Sequence, residues 1–511
     1  MRKILFFLLF CYWWPIGAQN PFLPGPQIWL RTDSLKTGDI HWKDISGNNR
    51  HGIPSCEMPG NLGLLNFNPA LVLKEKDFFT LPFTADQQIT AIIVYQTEDS
   101  LSEQSLWQLT REDDKSIGLT TRRIRGEQST ITYTDRNDTH PIINSLSQSW
   151  KAVSPGEKEY SLIVGASDTL PYKGKLAECL FFDRTISDTV ITQYISYLAI
   201  KYGITLYQTD YLDSRQNVIW NYHENPGYSY SIGGIGKDTR MGLNQKQSLL
   251  LDDKIKVSAG APAVDNAANP YLLEEGTFLI WGFDSASYDS QEAIYLENGE
   301  EMKVYGKGLL QSFGAMASHI PTFLEADASE WEKDGTCYLL VDRSGTGEYL
   351  PHATEFYAAE YADSNDIYYF TDIRWDTDRN GKDHFCFVYF PSDSVFHNRN
   401  LAVSGPDQKE DNGNSHNEKS PSTRLESSSD RENQYAVYPN PNRGNFRIDI
   451  HYSEPSDVTV RIFSPEGKLT RIINGSDSQR YHFESSLSVK GHYLIDIIGA
   501  GERKSFKMIV Q

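Results

Sequence analysis

At 511 residues the chain is long enough for about three domains of ordinary size. Apolar residues make up 39%, charged residues 23% and aromatics 12%, so there is material for true cores and wholesale disorder is excluded. Lys+Arg number 48 against Asp+Glu 68, and the resulting net charge of −20 repels nucleic-acid phosphate and anionic headgroups, which removes general polyanion binders.

Residues 1–18 are organised as a secretory signal peptide, with Arg2 and Lys3 as the positive region, Ile4 to Trp14 as the apolar run and Ile16-Gly17-Ala18 as a small-residue cleavage site. The mature chain is expected to begin at Gln19. The apolar run is shorter than the ~20 residues needed to span a bilayer, and no later segment approaches that length, so a transmembrane protein is not expected. Cys11 sits inside the apolar run behind Phe10, where lipidation would need a small residue. Cys56, Cys179, Cys337 and Cys386 remain. None has CxxC spacing, and the last three lie in apolar strand-like runs, which reads as buried thiols with a Cys337–Cys386 disulfide open in an exported protein.

From Gln27 to about Arg184, short β-rich runs alternate with turn residues: Ala70 to Leu73, Ile89 to Tyr95, Ser129 to Tyr133, Tyr160 to Gly165 and Leu176 to Phe182. That spacing predicts a β-sandwich. One helix follows, with Ser187-Asp188 as cap, an apolar stripe at Val190, Ile191, Tyr194, Ile195, Leu198 and Ala199, and Gly203 as stop. The stripe should pack on the sandwich. Strand-like runs resume from Ile204 to about Val403, notably Thr277 to Trp281, Cys337 to Val341, Ile367 to Phe370 and His384 to Phe390. The polar text up to Gln434 has Leu425 as its only large aliphatic residue and cannot offset its ordering entropy, so it reads as a linker. Four further strand-like runs lie between Tyr435 and Gln511. The expected fold is all-β and multi-domain: signal peptide 1–18, sandwich 19–186, helix plus middle β-rich domain 187–404, linker 405–434 and a small Ig-like sandwich 435–511.

Tyr438-Pro-Asn-Pro-Asn-Arg-Gly-Asn-Phe-Arg-Ile448, Phe463-Ser-Pro-Glu-Gly467, Gly491-His-Tyr-Leu-Ile495 and Lys504-Ser-Phe-Lys-Met-Ile-Val-Gln511 occur in order at the extreme terminus. Together they resemble the type IX secretion C-terminal sorting domain, with Tyr438, Pro439, Asn440, Pro441, Gly444, Gly491, Tyr493, Lys504 and Lys507 as the sorting-signal positions. The resemblance implies a Bacteroidota-type source, export by the general secretory route, and passage through the outer membrane to the cell surface or medium. Its implied partners are the type IX machinery and its sorting protease. Trp42-Lys-Asp-Ile-Ser-Gly-Asn48, Leu65-Asn-Phe-Asn-Pro-Ala-Leu-Val-Leu73 and the helix end Tyr197 to Thr205 resemble concanavalin-like/laminin-G-like sandwiches. The middle block, with Gly233-Gly-Ile-Gly236, Phe278-Leu-Ile-Trp-Gly282, Leu340-Val-Asp-Arg-Ser-Gly-Thr-Gly347 and Trp375-Asp-Thr-Asp-Arg-Asn-Gly381, resembles a β-rich domain of unassigned function found after such sandwiches in type IX cargo.

Chemistry is sparse. Glu325-Ala-Asp-Ala-Ser-Glu330 has the E-x-D-x-x-E spacing of laminarinase-like hydrolases, in which alternate strand positions aim carboxylates into a sugar cleft. In a chain with 68 acidic residues such spacing arises readily by chance, and a solvated acidic surface is the expectation. Ser231-Ile-Gly-Gly-Ile-Gly-Lys-Asp238 lacks the Ser or Thr after its lysine that a phosphate loop needs, so its glycines read as turn or bulge residues. His41, His51 and His140 have no nucleophile-elbow or HExxH context. No catalytic set is expected. Asp376, Asp378 and Asn380 stand at positions 1, 3 and 5 of a loop with Gly381 at 6, the first half of a calcium loop, and Asp383 could complete a Ca2+ shell; the competing reading is a plain Asp/Asn/Gly hairpin turn. Trp29, Trp42, Trp107 and Trp150 offer sugar-stacking faces, although a strand tryptophan is more often core. The function expected is a secreted or surface binding and adhesion protein, with a glycan or surface ligand. The alternatives are a secreted glycan-degrading enzyme and a purely structural surface protein.

Overall fold

The computed structural model describes residues 23–390 and 433–510, apart from 100–101, 111–115, 126–130, 133–139, 152–155, 168, 207, 251–253, 285–292, 296–300, 333–334, 350–352, 363–364, 439–443, 465–468, 488 and 501. The signal peptide and nearly all of the linker expected from the sequence lie outside the described residues. Within them the chain is built from antiparallel strands, with one α-helix and three short 3-10 turns. The chain forms two compact units. The first comprises Pro69–Leu198 with the stretch up to Gly63 and Asp210–Asn221; the second comprises Leu64–Asn68, Ala199–Thr209 and everything from Tyr222.

The first unit is a sandwich. One sheet runs in the order Ile142–Ser149, Gln88–Thr97, Gly174–Phe182, Asn68–Leu73, Leu62–Leu65, with Ile28–Arg31 also pairing Gly174–Phe182. The other runs Ile131–Thr132, Arg123–Arg125, Ser116–Thr120, Ser105–Thr110, Lys158–Gly165, Phe78–Ala85, Ile53–Pro54. Period-2 alternation places Phe79, Leu81, Phe83 and Ala85 in the core shared by both sheets, against Ile93, Leu109, Leu162 and Leu176. Pro82 interrupts that strand in the sequence, yet is tolerated because the neighbouring strand Ile53–Pro54 pairs only Phe79 and Thr80, so the missing N–H faces an edge.

The helix spans Asp188–Tyr202. Ser187 Oγ accepts the Val190 N–H at 3.4 Å, and Gly203, at φ +66°, ends it, as the capping residues predict. Tyr194 meets Phe182 at 5.4 Å and Trp29 at 5.9 Å between ring centroids, so the apolar stripe covers the outer face of the first sheet. Strand parity sends Cys179 and Phe181 inward and Glu178 outward, under the helix. That carboxylate is fully buried; it accepts Trp29 Nε1–H at 2.5 Å and Tyr197 O–H at 2.8 Å, with Arg31 Nε at 4.0 Å. A buried carboxylate is tolerable only with its lone pairs filled and a cation near, which ties the helix to this sheet face.

The second unit contains a sheet ordered Leu243–Gln245, Ser231–Asp238, Thr277–Phe283, Glu301–Phe313, Lys382–Phe390, Thr336–Asp342, Thr354–Ala358, and a five-stranded sheet ordered Gln247–Leu250, Ile255–Ala259, Thr322–Asp327, Ile367–Ile373, Tyr361–Ala362. Their facing side chains make a core rich in aromatic rings, with Trp281 and Trp375 at 6.2 Å and Trp331 and Phe387 at 5.1 Å. Trp375 Nε1 donates to Thr322 Oγ1 at 2.8 Å, which supplies the partner a buried indole needs. Cys337 and Cys386 lie on adjacent strands, but Cys337 stands opposite Tyr389 and Cys386 opposite Leu340. They face different apolar clusters on the two sides of the sheet, so the disulfide left open by the sequence is ruled out geometrically, and all four described cysteines are free thiols.

The hairpin tip Asn66-Phe67 also belongs to this unit. Both residues take positive φ, 45° and 65°, the two-residue turn that matches strand twist. Asn66 Nδ2 donates to the carbonyls of Ile200 and Lys201 at 3.2 Å each, its Oδ1 accepts the Leu249 N–H at 2.8 Å, and Asn68 Nδ2 donates to Lys201 O at 2.6 Å and Gln245 Oε1 at 3.0 Å. The Asn-Phe-Asn motif therefore satisfies the orphan carbonyls of the helix C-terminus.

The terminal segment forms a sheet ordered Gln434–Tyr438, Asn445–Phe463, Gly491–Gly499, Glu502–Val510, with Leu469–Ser486 pairing Asn445–Phe463. Register shifts between His451 and Val458 bend the long ribbon, and both of its halves contribute to one core of Ile448, Ile450, Val460, Ile462, Ile495 and Ile497.

Candidate functional site

Most side chains that the sequence offered for chemistry are engaged in structure. Trp42, Trp107 and Trp150 are buried in the first core, and half-buried Trp29 gives its N–H to Glu178, so the tryptophans of this sandwich do not form a sugar platform. Glu325 faces outward from its strand and pairs across to Lys256 at 2.9 Å; Glu330, in the turn beyond the strand, pairs with Lys254. Two carboxylates each neutralised by a separate lysine do not converge on a bond to be cleaved. Gly233 lies inside the strand Ser231–Asp238, where a Cβ would come within 2.1 Å of Leu250 Cδ2, so its role is close packing. His41 and His51 stack at 6.5 Å, and His51 Nδ1 accepts the Asp44 N–H at 3.1 Å.

The loop proposed for calcium is held by its own hydrogen bonds. Asp376, at φ 50°, accepts the Gly381 N–H at 2.8 Å on Oδ1 and the Ser312 hydroxyl on Oδ2. Asp378 accepts the Asn380 side-chain N–H at 2.8 Å, and Asn380 Oδ1 accepts the Lys382 N–H at 2.8 Å. Asp383 is fully buried, and its Oδ2 accepts the Asp376 N–H at 2.5 Å and the Arg343 guanidinium at 2.7 Å. The side-chain oxygens of all four residues thus carry hydrogen bonds from N–H donors, and the Arg343 guanidinium lies against Asp383, the residue that would complete a Ca2+ shell. Among the described residues no group of three or more His, Cys, Asp and Glu side chains is placed to hold a metal ion.

A polar rim of the second unit surrounds this turn. Asn380 Nδ2 donates to Arg343 O at 2.7 Å, and Asp342, itself buried, accepts the Ser344 and Gly347 N–H groups at 2.9 and 2.8 Å. His384 lies opposite Asp342 in the sheet, and its Nδ1 is 3.1 Å from the Tyr228 hydroxyl, with the two rings edge to face at 5.0 Å. Burial holds the imidazole down to about 4, so it is neutral at ordinary pH. Beside it, buried Asn225 donates to Gln311 Oε1 at 2.9 Å and accepts Lys382 Nζ at 3.0 Å, while that ammonium also pairs with Glu224 at 2.9 Å. These anchors fix the segment 222–230, which carries half-buried Tyr222 and Tyr228, exposed His223 and Tyr230 at 58% exposure. Nothing in the sequence pattern singled this segment out, because its cluster of Tyr, His and Asn falls between strand runs and its anchors come from residues 86 and 157 positions away.

In the terminal sheet, Gly444 at φ +104° places its Cα where a Cβ would meet Leu487 O at 2.4 Å, which explains the glycine of the motif. Gly491 opens its strand opposite Val510, and Tyr493 is buried with its hydroxyl on Val489 O at 2.9 Å. Lys504 and Lys507 lie on the last strand, Tyr438 ends the first, and Pro439, Asn440 and Pro441 fall outside the described residues.

Residues 436–511 match the secretion system C-terminal sorting domain. The protein is exported by the type IX secretion route to the cell surface or extracellular space. Residues 191–378, which run from the helix to the Asp376 turn, match a domain of unknown function, DUF8202. No curated protein matches the chain. Among solved structures, a Paenibacillus cycloisomaltooligosaccharide glucanotransferase complexed with cycloisomaltoheptaose is 10% identical, with 72% of this chain and 46% of that chain covered and a TM-score of 0.16. The chain thus spans under half the length of that enzyme. A DUF4785 family protein from Legionella pneumophila is 6% identical, with 90% and 93% covered and a TM-score of 0.12. Likenesses at these scores support no statement about this chain. Among the described residues no helix is long and apolar enough to cross a membrane.

Proposed function

We propose that this type IX cargo is a binding and adhesion protein of the cell surface or its surroundings, with carbohydrate as its ligand class and a concanavalin/laminin-G-like first sandwich. The observation that supports binding over hydrolysis is the separate neutralisation of Glu325 and Glu330 by Lys256 and Lys254, which leaves the carboxylates with the hydrolase-like spacing without a shared target. Export to the exterior supplies the setting in which such a protein meets polysaccharide. The test is to screen the full secreted protein on a glycan array and to incubate it with the same polysaccharides while assaying for new reducing ends. Retention without turnover is the expected result. Turnover that disappears in Glu325→Gln or Glu330→Gln would replace this reading with a hydrolase.

A further inference from the structure

We propose that Lys382 and Asn225 of the second unit join through their side chains as an isopeptide bond, a covalent staple between residues 157 positions apart. The staple needs no ligand and is independent of the carbohydrate reading. Three segments converge on the site. Lys382 opens the strand Lys382–Phe390 directly opposite Gln311 of the neighbouring strand, and Asn225 stands at the entrance to the 3-10 turn Pro226–Tyr228. The Asn225 carboxamide is held at both ends, with Nδ2 donating to Gln311 Oε1 at 2.9 Å and Oδ1 accepting from Lys382 Nζ at 3.0 Å. Its backbone is fixed as well: the N–H donates to Tyr222 O at 3.2 Å and the carbonyl accepts the Tyr228 N–H at 3.1 Å. A carbonyl bond measures about 1.23 Å, so the lysine nitrogen lies within about 4.2 Å of Asn225 Cγ. Amine and amide are therefore already ordered beside each other, and the entropy of bringing them together is lost in folding rather than in the reaction.

Glu224 supplies the proton chemistry, since its Oε2 is 2.9 Å from Lys382 Nζ. It takes one proton from the ammonium, and the lone pair of the resulting amine forms the Nζ–Cγ bond. A second proton passes from the attacking nitrogen to Nδ2, the Cγ–Nδ2 bond breaks with its electron pair on that nitrogen, and ammonia departs. Glu224 then returns its proton to solvent, so atoms and charge balance and nothing is oxidised or reduced. Water is the competing nucleophile, but Asn225 is only 4% exposed, whereas Glu224 at 61% leaves ammonia a way out. The other charged neighbours do not oppose the product. His384, two residues along the same strand, is kept neutral by burial and feels Asp342 together with two cations, Lys307 and Lys382; turning Lys382 into a neutral amide removes one of these two like charges.

The experiment is tryptic mapping by mass spectrometry of the full secreted protein, denatured and reduced before digestion, beside Lys382→Arg and Glu224→Gln. The wild type should yield residues 216–237 and 380–399 as one branched peptide, lighter by one ammonia than the two together. Lys382→Arg keeps a cation for Glu224 and should yield no branched peptide. On denaturing gels it should also run apart from the wild type, because a closed loop makes the unfolded chain more compact. Glu224→Gln should lower the joined fraction by about tenfold or more in protein sampled early after synthesis. Unjoined peptides in the wild type after prolonged incubation of the folded protein would overturn the proposal. An ammonia lost from the intact mass of wild type and Lys382→Arg alike, with no branched peptide, would overturn it too and place the loss at another residue, such as a cyclised Gln19. Joining at the wild-type level in Glu224→Gln would overturn the proton role given to Glu224.

Discussion

Asp383 and His384 are neighbours in sequence and point to opposite faces of one strand, and burial moves them in opposite directions. The Asp383 carboxyl, which faces Arg343 and Asp376, is pushed up from 3.8 to about 6, and the His384 imidazole, which faces Asp342, Tyr228, Lys307 and Lys382, is pushed down from 6.5 to about 4. As pH falls through 6 the folded protein takes up a proton at Asp383 before the unfolded chain does, so folding gains. Over nearly the same window the unfolded chain protonates His384 while the folded protein does not, so folding loses. Each effect is on the order of 3 kcal/mol, and they oppose each other in the wild type. Relative to wild type, His384→Gln should therefore grow more stable between about pH 6.5 and about pH 4.5, and Asp383→Asn less stable, in urea unfolding followed at both values. Identical pH slopes in all three proteins would show that burial does not govern these groups. At the same turn, saturating calcium after chelation should leave the melting temperature unchanged, because a ligand bound only to the folded state would raise it and the Arg343 guanidinium already pairs with Asp383, the residue that would complete the shell.

At the level of elements, the hairpin turn at Asn66 and the end of the helix make one construction. Asn66 satisfies two helix carbonyls and one strand N–H from a single buried amide, with Asn68 and Gln245 completing the network. Asn66→Ala removes the amide's hydrogen bonds to Ile200, Lys201, Ser248 and Leu249, leaves their partners buried and keeps a positive φ that alanine tolerates poorly. The expected loss is about 2 to 4 kcal/mol in denaturant unfolding, with a melting transition at lower temperature. Asn66→Gly relaxes the backbone but not the amide, so it should recover only a small part of the loss. A full recovery would assign the cost to backbone strain alone. In the sequence the Asn-Phe-Asn run entered only as part of the sandwich-like motif Leu65 to Leu73, and its turn and its task were not legible, since the carbonyls it caps lie more than 130 positions away.

For the whole molecule, the terminal sheet is an address at the end of a β-rich cargo. The core of Ile448, Ile450, Val460, Ile462, Ile495 and Ile497 holds this sorting domain together. Deleting Tyr435–Gln511 should leave the cargo in the periplasm of a host with working type IX machinery, read by fractionation and immunoblot. Normal surface levels of the truncated chain would show that the address lies elsewhere.

Local patterns were enough wherever one face of an element meets a core. Alternation located the strands around Ile93, Leu176, Leu279 and Phe387, and Ser187 and Gly203 marked the helix ends, because period and capping are properties of a few consecutive residues. The sorting domain was legible for the same reason, as its glycines and short strands follow one another along the chain. Tertiary structure alone decided the rest. Cys337 and Cys386 face opposite sides of a sheet, Glu178 is paired by residues from another strand and the helix, and the Asp376 oxygens accept donors that include Ser312 from a strand remote in sequence. Whether a side chain is a ligand, a packing element or an exposed face depends on what the fold brings within about 3 Å of it, and that distance is set by strand register across the whole chain.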